Sequence, residues 1–422
     1  MTHAACADLT ERAAAATAYL GPGSVRRLCI DLIASEQDRL IREKRLSPRE
    51  HITRLPASTD PRLPIEIGEE DLGLDSLARL DLVGSVSRFF CLADSGAEDL
   101  LLIHRDLDDW VRIVGAHLER LGPTARFGFE TSGSRGKPKR VVHDGQDLDA
   151  EVREILSVIL AVQQLRIQWP ARIVTAVPPR HIYGFLWSAL LPERAGLQVL
   201  ELHRSSGEAL FRHCLPGDVV IGTPFTWERA AGLGSPLPSG ITGITSGAPS
   251  TTETWEAAAS LRLDRLIEVY GSTETGGLGW RTSSETPFRL SGRVDRRGQE
   301  VWRRSCGSEV ALQDHLVWRG PDRFDITGRL DDVVQVAGTN VSLEEVVRVL
   351  CAVDGVAEAT VRLHEGRIRA LIVPDASGRS IEQLENAVRA CVMRSLDPPA
   401  RPDRFLFAPA LPRTAMGKPA HW

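Results

Sequence analysis

An eleven-residue run, Phe129–Lys139, reads F-E-T-S-G-S-R-G-K-P-K and constrains this chain more than any other feature. Its two glycines let the backbone curl so that N–H groups face inward. Thr131, Ser132 and Ser134 add hydroxyl donors, and Lys137 and Lys139 add positive charge. Such a loop is built to hold a polyphosphate. It differs from the G-x-x-x-x-G-K-[ST] loop, because no Lys-Ser/Thr pair follows the second glycine at that spacing.

Three further segments follow in order. Tyr270-Gly271-Ser272-Thr273-Glu274 comes after Leu266–Val269, which reads as a strand, so a hydroxyl and a carboxylate are delivered at a strand end. Thr327-Gly328-Arg329-Leu330-Asp331-Asp332 precedes a second apolar run, and Leu411–Lys418 ends in a Gly-Lys pair. Each alone is also compatible with an ordinary turn. Together they resemble the adenylate-forming superfamily of acyl-CoA synthetases, aryl acid ligases, peptide-synthetase adenylation domains and luciferases, over roughly residues 125 to 422.

The resemblance implies roles. Thr131, Ser132, Gly133, Ser134, Gly136 and Lys139 belong to the phosphate loop, and Ser246, Gly247, Ala248 and Pro249 lie along the adenine. Tyr270 packs on adenine, Thr273 touches the α-phosphate and Glu274 holds Mg²⁺. Asp314 and Arg329 contact ribose, Asp331 is the hinge, and Lys418 bridges carboxylate and phosphate during adenylation. His181 stands beside the acyl pocket, while Gly276 and Gly277 leave room for a flat ring that Trp280 walls. Three positions depart from the pattern: Arg135 replaces a loop threonine, Leu312-Gln313 replaces the Thr-Gly before Asp314, and Gln335 replaces a lysine.

The activity implied is a two-step, AMP-forming ligation. A carboxylic acid attacks Mg·ATP to give an acyl adenylate, and a thiol then gives a thioester. A hydroxybenzoate-type acid is the expected substrate, and CoA or a holo acyl carrier protein the acceptor. Transfer to a nitrogen nucleophile and a non-catalytic, nucleotide-binding interaction protein are the alternatives.

About 125 residues precede the loop, fewer than a typical relative carries, and they read as helices. Ser24 is placed to cap a helix over Val25–Lys44 with Leu28, Leu32, Ile33 and Leu40 on its apolar side and the charges elsewhere. After a Pro-rich loop, Leu77, Leu80, Leu82, Val83, Val86 and Phe89 recur at helical spacing, and a last helix covers Asp106–Leu121. Gly73-Leu74-Asp75-Ser76-Leu77 resembles the signature of an acyl carrier protein, in which Ser76 would carry phosphopantetheine. The other reading makes Ser76 an N-cap and the helices part of the ligase.

The expected fold class is α/β: a truncated adenylate-forming large domain over 122–327, a small mobile α+β domain over 328–422, and a helical carrier-like region over 1–121. The large domain would carry strands near Arg172–Val177, Gln198–Leu202, Asp218–Gly222 and Leu266–Tyr270, alternating with helices such as Leu148–Leu165. A net charge of −5 implies no general affinity for nucleic acid or an anionic membrane. The chain's seven widely spaced cysteines fit reduced thiols in a cytoplasmic protein. It contains no apolar run long enough to span a bilayer and no signal peptide at the start.

Overall fold

The computed structural model describes residues 19–43, 45, 65–130, 139–162, 172–205, 208–329, 333–336, 339–376, 378–414, 416–417, 420 and 422. The chain forms two compact units, Met1–Asp295 with Trp302–Glu309, and Arg296–Val301 with Val310–Trp422. This division by compactness differs in kind from the hinge proposed at Asp331, which lies inside the second unit.

The first unit is an α/β layer. An antiparallel hairpin, β1 (Arg126–Glu130) and β2 (Arg140–Asp144), brackets the Gly/Ser-rich loop. The main sheet holds β3 (Arg172–Thr175), β4 (Gln198–Glu201), β5 (Val219–Gly222), β6 (Thr242–Thr245), β7 (Arg265–Ser272), β8 (Gly276–Arg281) and β9 (Phe288–Leu290). Their spatial order runs β9-β8-β7-β6-β5-β3-β4. From β4 to β7 the pairs are parallel, and β8 and β9 continue antiparallel. Central strands β5 and β6 are buried at every residue, as expected of parallel strands covered on both faces. The four expected strands form, and the helix expected over Leu148–Leu165 starts earlier and is described over Gly145–Val162, residues 163–165 lying outside the described residues.

The N-terminal helices are Pro22–Arg42, Ser76–Phe90, Ala97–Ile103 and Leu107–Leu121. Phe89 and Phe90 from the second of them pack into a cluster with Phe127 and Phe129 of β1 and with Phe185. Phe127 and Phe185 are 4.8 Å apart between ring centroids, and Phe129 and Phe185 5.4 Å. Each such ring pair adds about 0.5–1.5 kcal/mol beyond its buried area. The helices thus share a core with the strand that leads into the Gly/Ser-rich loop, and they belong to the same compact unit as the sheet.

Several local expectations are corrected. Helix Pro22–Arg42 starts earlier than Ser24; Gly21 is its N-cap and proline takes the first turn, where a missing N–H costs nothing. Ser24 instead bonds to Glu193. The charges on this helix are not all turned to water: Arg26, Asp31 and Glu36 are buried. Asp31 accepts from Arg180 Nη1 at 2.7 Å and the Arg180 N–H at 3.2 Å, and lies 3.1 Å from His203 Nε2. These partners come from far along the chain, so no helical periodicity records them. Ser76 is not the cap of its helix. Asp75 is, its Oδ1 accepting the Ala78 N–H at 2.7 Å, while Ser76 is exposed one position inside. Leu77 and Leu80, expected on the buried side, are 64% and 51% exposed.

The second unit is α+β. Hairpins Asp314–Trp318/Arg323–Arg329 and Val333–Val336/Thr339–Ser342 precede helix Leu343–Cys351. Val356–His364 and Arg367–Pro374 pair antiparallel through Glu365-Gly366, both at positive φ, and Arg404–Phe407 joins in parallel. The two positive φ values suit the twist of a two-residue hairpin turn. Helix Ile381–Ser395 closes a core of Val346, Leu350, Ile372, Leu384, Val388 and Val392.

Candidate active site

In an open parallel sheet, ligands bind beyond the carboxyl ends of the strands. The described site residues of the first unit lie there: Arg180-His181 after β3, Ser246–Pro249 after β6, and Thr273 and Glu274 after β7. Tyr183 ties these ends together, its buried hydroxyl donating to the Gly222 carbonyl at 2.9 Å and bridging to the Ile244 carbonyl at 3.1 Å. His181 is the N-cap residue of helix Ile182–Phe185 and accepts the Phe185 N–H at its carbonyl.

The Ser246–Pro249 segment follows β6 directly and is held at its far end, where the Ser250 N–H donates to Glu268 Oε1 at 2.9 Å. Glu268 is buried on β7 and accepts from its cross-strand partner Arg281 at 2.5 Å. Tyr270 is half-buried, with Phe288 5.9 Å away between ring centroids. Trp280 is half-buried on β8, and the Arg289 guanidinium lies 6.0 Å over its ring.

The turn carrying Thr273 and Glu274 is held from several sides. His143 Nε2 lies 2.6 Å from the Thr273 carbonyl. Arg303 Nη2 donates to the Glu274 carbonyl at 3.1 Å and the Thr275 carbonyl at 3.3 Å. Inside the turn, the Ser272 N–H donates to Thr275 Oγ1 at 3.0 Å. Burial pushes the His143 imidazole below its usual range, with Arg303 and Arg293 adding to the effect against the Thr273 bond.

Gly276 and Gly277 do not leave open space on the side a Cβ would take. Gly276 has φ +68, and a Cβ there would sit 2.3 Å from Glu151 Oε2. The Gly277 N–H donates to Glu151 Oε1 at 2.6 Å, Arg293 Nη2 lies 3.0 Å from Glu151 Oε2, and the same Nη2 donates to the Gly277 carbonyl at 2.6 Å. Burial pushes the Glu151 carboxyl up, against Arg293 and the Gly277 N–H. The glycines thus admit a buried carboxylate from helix Gly145–Val162.

In the second unit, Asp314 and Arg329 are register partners on one hairpin, and Asp314 is half-buried. Thr131, Ser132, Gly133, Ser134, Gly136, Asp331 and Lys418 lie outside the described residues, while Lys139 is described and exposed. Among the described residues no group of three or more His, Cys, Asp or Glu side chains could hold a metal by itself. Mg²⁺ is usually held by one or two carboxylates together with substrate phosphates, so a lone carboxylate such as Glu274 fits that donor set.

A cavity of about 440 Å³ lies elsewhere, lined by Gly84, Arg88, Cys91, Asp94, Arg126 and Arg140 among others. It contains none of the expected site residues. Its cations are already engaged: Arg88 with Glu130, Arg126 with Asp94, and Arg140 with the Arg88 carbonyl.

His143, Glu151, Arg293 and Arg303 are the residues that reading the sequence missed. The Gly276-Gly277 pair was the available signal, since adjacent glycines in a strand mark close approach of another group.

The chain matches the model of AMP-binding enzymes over residues 130–314 and that of the AMP-binding enzyme C-terminal domain over 345–418. It is 43% identical over 401 residues to a protein of Cereibacter sphaeroides named 4-coumarate–CoA ligase, covering 94% of this chain and 96% of that one. Proteins of the same name from Rhodobacter capsulatus and Halorhodospira halophila are 39% and 32% identical, over 94% and 86% of this chain and 100% and 92% of theirs. Among solved structures, a benzoate CoA ligase from Burkholderia xenovorans superposes with a TM-score of 0.54 at 20% identity, covering 76% of this chain and 71% of that one. ATP-bound MatB from Rhodopseudomonas palustris gives 0.52 at 18% identity, and the chain spans only 65% of its length. At those identities the likeness shows the fold alone.

Proposed function

The chain belongs to the AMP-binding enzymes, the adenylate-forming acid–thiol ligases, and from that premise we propose that it activates a 4-hydroxycinnamate-type acid such as 4-coumarate and transfers it to CoA. The observation that carries this reading is the near end-to-end alignment with three ligases of that name. It is preferred to the hydroxybenzoate-type acid that the resemblance led us to expect, for which Gly276 and Gly277 were to leave room for a ring; their Cβ side is filled by Glu151. CoA is preferred to a carrier protein because the same relatives are named CoA ligases.

In the reading proposed, the acid carboxylate attacks the α-phosphorus of ATP and pyrophosphate leaves. Negative charge grows on the transferring group, so donors aimed at it lower the barrier. Thr273, the phosphate loop at 131–138 and Lys418 supply those donors. Glu274 would hold Mg²⁺, which neutralises charge on the phosphates. Tyr270 and Ser246–Pro249 flank the adenine, and Asp314 with Arg329 hold the ribose. The CoA thiolate then attacks the acyl carbon, the C–S bond forms, and AMP departs with the mixed-anhydride oxygen. Rotation of the second unit's C-terminal part about Asp331 is proposed to exchange the groups serving the two steps.

The test is AMP release with CoA over 4-coumarate, 4-hydroxybenzoate, benzoate and acetate. The reading expects 4-coumarate to have the highest kcat/KM. A higher value for 4-hydroxybenzoate would restore the earlier expectation, and release without CoA but with an amine would favour a nitrogen acceptor.

A further inference from the structure

We propose that His143 is a positioning residue for adenylation, locking the hairpin that carries the phosphate loop onto the turn that carries Thr273 and Glu274. The inference rests on the reading of Thr273 and Glu274 given above, and it adds a residue which that reading does not contain.

The geometry is specific. His143 sits on β2, four residues beyond Lys139, on the strand by which the chain leaves the loop. Its Cα partner across the hairpin is Phe127, and its ring meets that of Phe129 edge-on, with centroids 5.8 Å apart. Those aromatic walls, together with 7% exposure, leave the ring little freedom. Its Nε2 reaches the Thr273 carbonyl, 130 positions later, at 2.6 Å. A carbonyl only accepts, so Nε2 carries the proton and donates.

The bond is one of a set. Three consecutive carbonyls, of Thr273, Glu274 and Thr275, receive side-chain donors, His143 for the first and Arg303 for the next two. With its backbone oxygens held in this way, the turn cannot rotate its peptide planes without breaking these bonds. Glu151 repeats the logic one step on: it belongs to the helix that follows β2 and accepts the Gly277 N–H. The segment after the phosphate loop therefore grips both ends of the 273–277 turn. Both phosphate-contacting elements are referenced to one body, so a displacement of either would be shared. A misplacement of about 1 Å at a reacting centre can cost about a hundredfold in rate.

The test uses the full chain with His143→Leu, which keeps bulk but removes the donor, and His143→Gln, whose amide N–H can stand in for Nε2–H. Acid-dependent ATP–pyrophosphate exchange is measured with the thermal midpoint and amide hydrogen exchange of peptides covering 272–276. His143→Leu should lower the exchange kcat by about tenfold to a hundredfold, with the KM of the acid unchanged and faster hydrogen exchange at 272–276. His143→Gln should restore most of kcat and slow the exchange again. Unchanged kcat in His143→Leu, hydrogen exchange at 272–276 equal to wild type, or a Gln variant no better than Leu would each overturn the proposal. Glu274→Gln and Thr273→Val run alongside. If they retain full adenylation, the reading of the turn itself fails; if they lose it while His143→Leu does not, only the positioning role fails.

Discussion

Asp314 and Arg329 face one another as register partners across an antiparallel hairpin of the second unit, fifteen positions apart in sequence. If both serve the ribose, they act as a unit. Asp314→Asn and Arg329→Gln should each raise the KM for ATP by about tenfold to a hundredfold, the size expected for one charge-assisted hydrogen bond of about 1.5–3 kcal/mol. The double variant should lose less than the product of the two, measured as a mutant cycle on initial rates. Additive losses would separate the two residues.

Lys418→Ala should reduce acid-dependent pyrophosphate release by about 10²–10³, the usual effect of removing one donor to developing charge. Its thioester formation from a synthetic acyl adenylate and CoA should fall far less. Equal losses in the two assays would point to a role other than adenylation.

Gly276→Ala combines a positive φ with a contact of 2.3 Å to a buried carboxylate oxygen. The left-handed conformation alone costs about 1–2 kcal/mol for a residue with a Cβ, and displacing Glu151 from the Gly277 N–H adds to it. The urea midpoint of the variant should drop accordingly, and Gly277→Ala should show the same direction.

Asp31 gives a pH prediction. Burial alone would raise its carboxyl, but the Arg180 charge and then the His203 bond outweigh it and hold the group well below the usual carboxylate range. A folded value below the unfolded one contributes stability that is full above about pH 3.9, the unfolded value, and is lost as pH falls through the folded one. Asp31→Asn should therefore be destabilised by about 1.5–3 kcal/mol at neutral pH, because half-buried Arg180 loses its charge-assisted bond. The gap to wild type should narrow as pH is lowered below about 4. Chemical denaturation at pH 7 and pH 3.5 reads the sign directly.

Ser76 and Asp75 exchange roles relative to the sequence expectation. Asp75→Ala should cost about 0.5–2 kcal/mol as a lost cap, whereas Ser76→Ala should stay within about 0.5 kcal/mol of wild type. Intact mass after co-expression with a phosphopantetheinyl transferase should show no added group, because the helices around Ser76 are packed into the ligase itself. An added phosphopantetheine that disappears in Ser76→Ala would reinstate the carrier reading.

Elements governed by local pattern were legible. Strands β3, β4, β5 and β7 announce themselves as short apolar runs between turns, whereas β6 (Thr242–Thr245), with two threonines and a glycine, was not foreseen. That the candidate segments Ser246–Pro249 and Thr273-Glu274 directly follow strand ends is what the sequence order and the structure share. What could not be read was anything made by distant partners. Glu151 looks like one more charge on a helix, yet it is buried against Gly277, 126 positions away. Asp31 likewise reads as a solvated helical charge, and its partners Arg180 and His203 are 149 and 172 positions on. Leu77 and Leu80 failed in the opposite sense: helical spacing marks a stripe, but the width of the stripe that is covered depends on what packs there.

The aromatic cluster shared by Phe89, Phe90, Phe127, Phe129 and Phe185 sets a limit on dissecting this enzyme. The match to the AMP-binding enzyme model begins at residue 130, which invites cutting just before it. Such a fragment would lose Phe127 and Phe129 with most of β1, leave β2 without its partner strand, and expose the rings of Phe185 and His143 that those side chains cover. Each large aromatic ring so uncovered forfeits about 1.5–3 kcal/mol of burial, and the patch would invite self-association. The smallest piece able to bind ATP as a soluble monomer therefore has to reach back through the Ser76–Phe90 helix, and, through Asp31 and Arg180, to the helix at Pro22–Arg42.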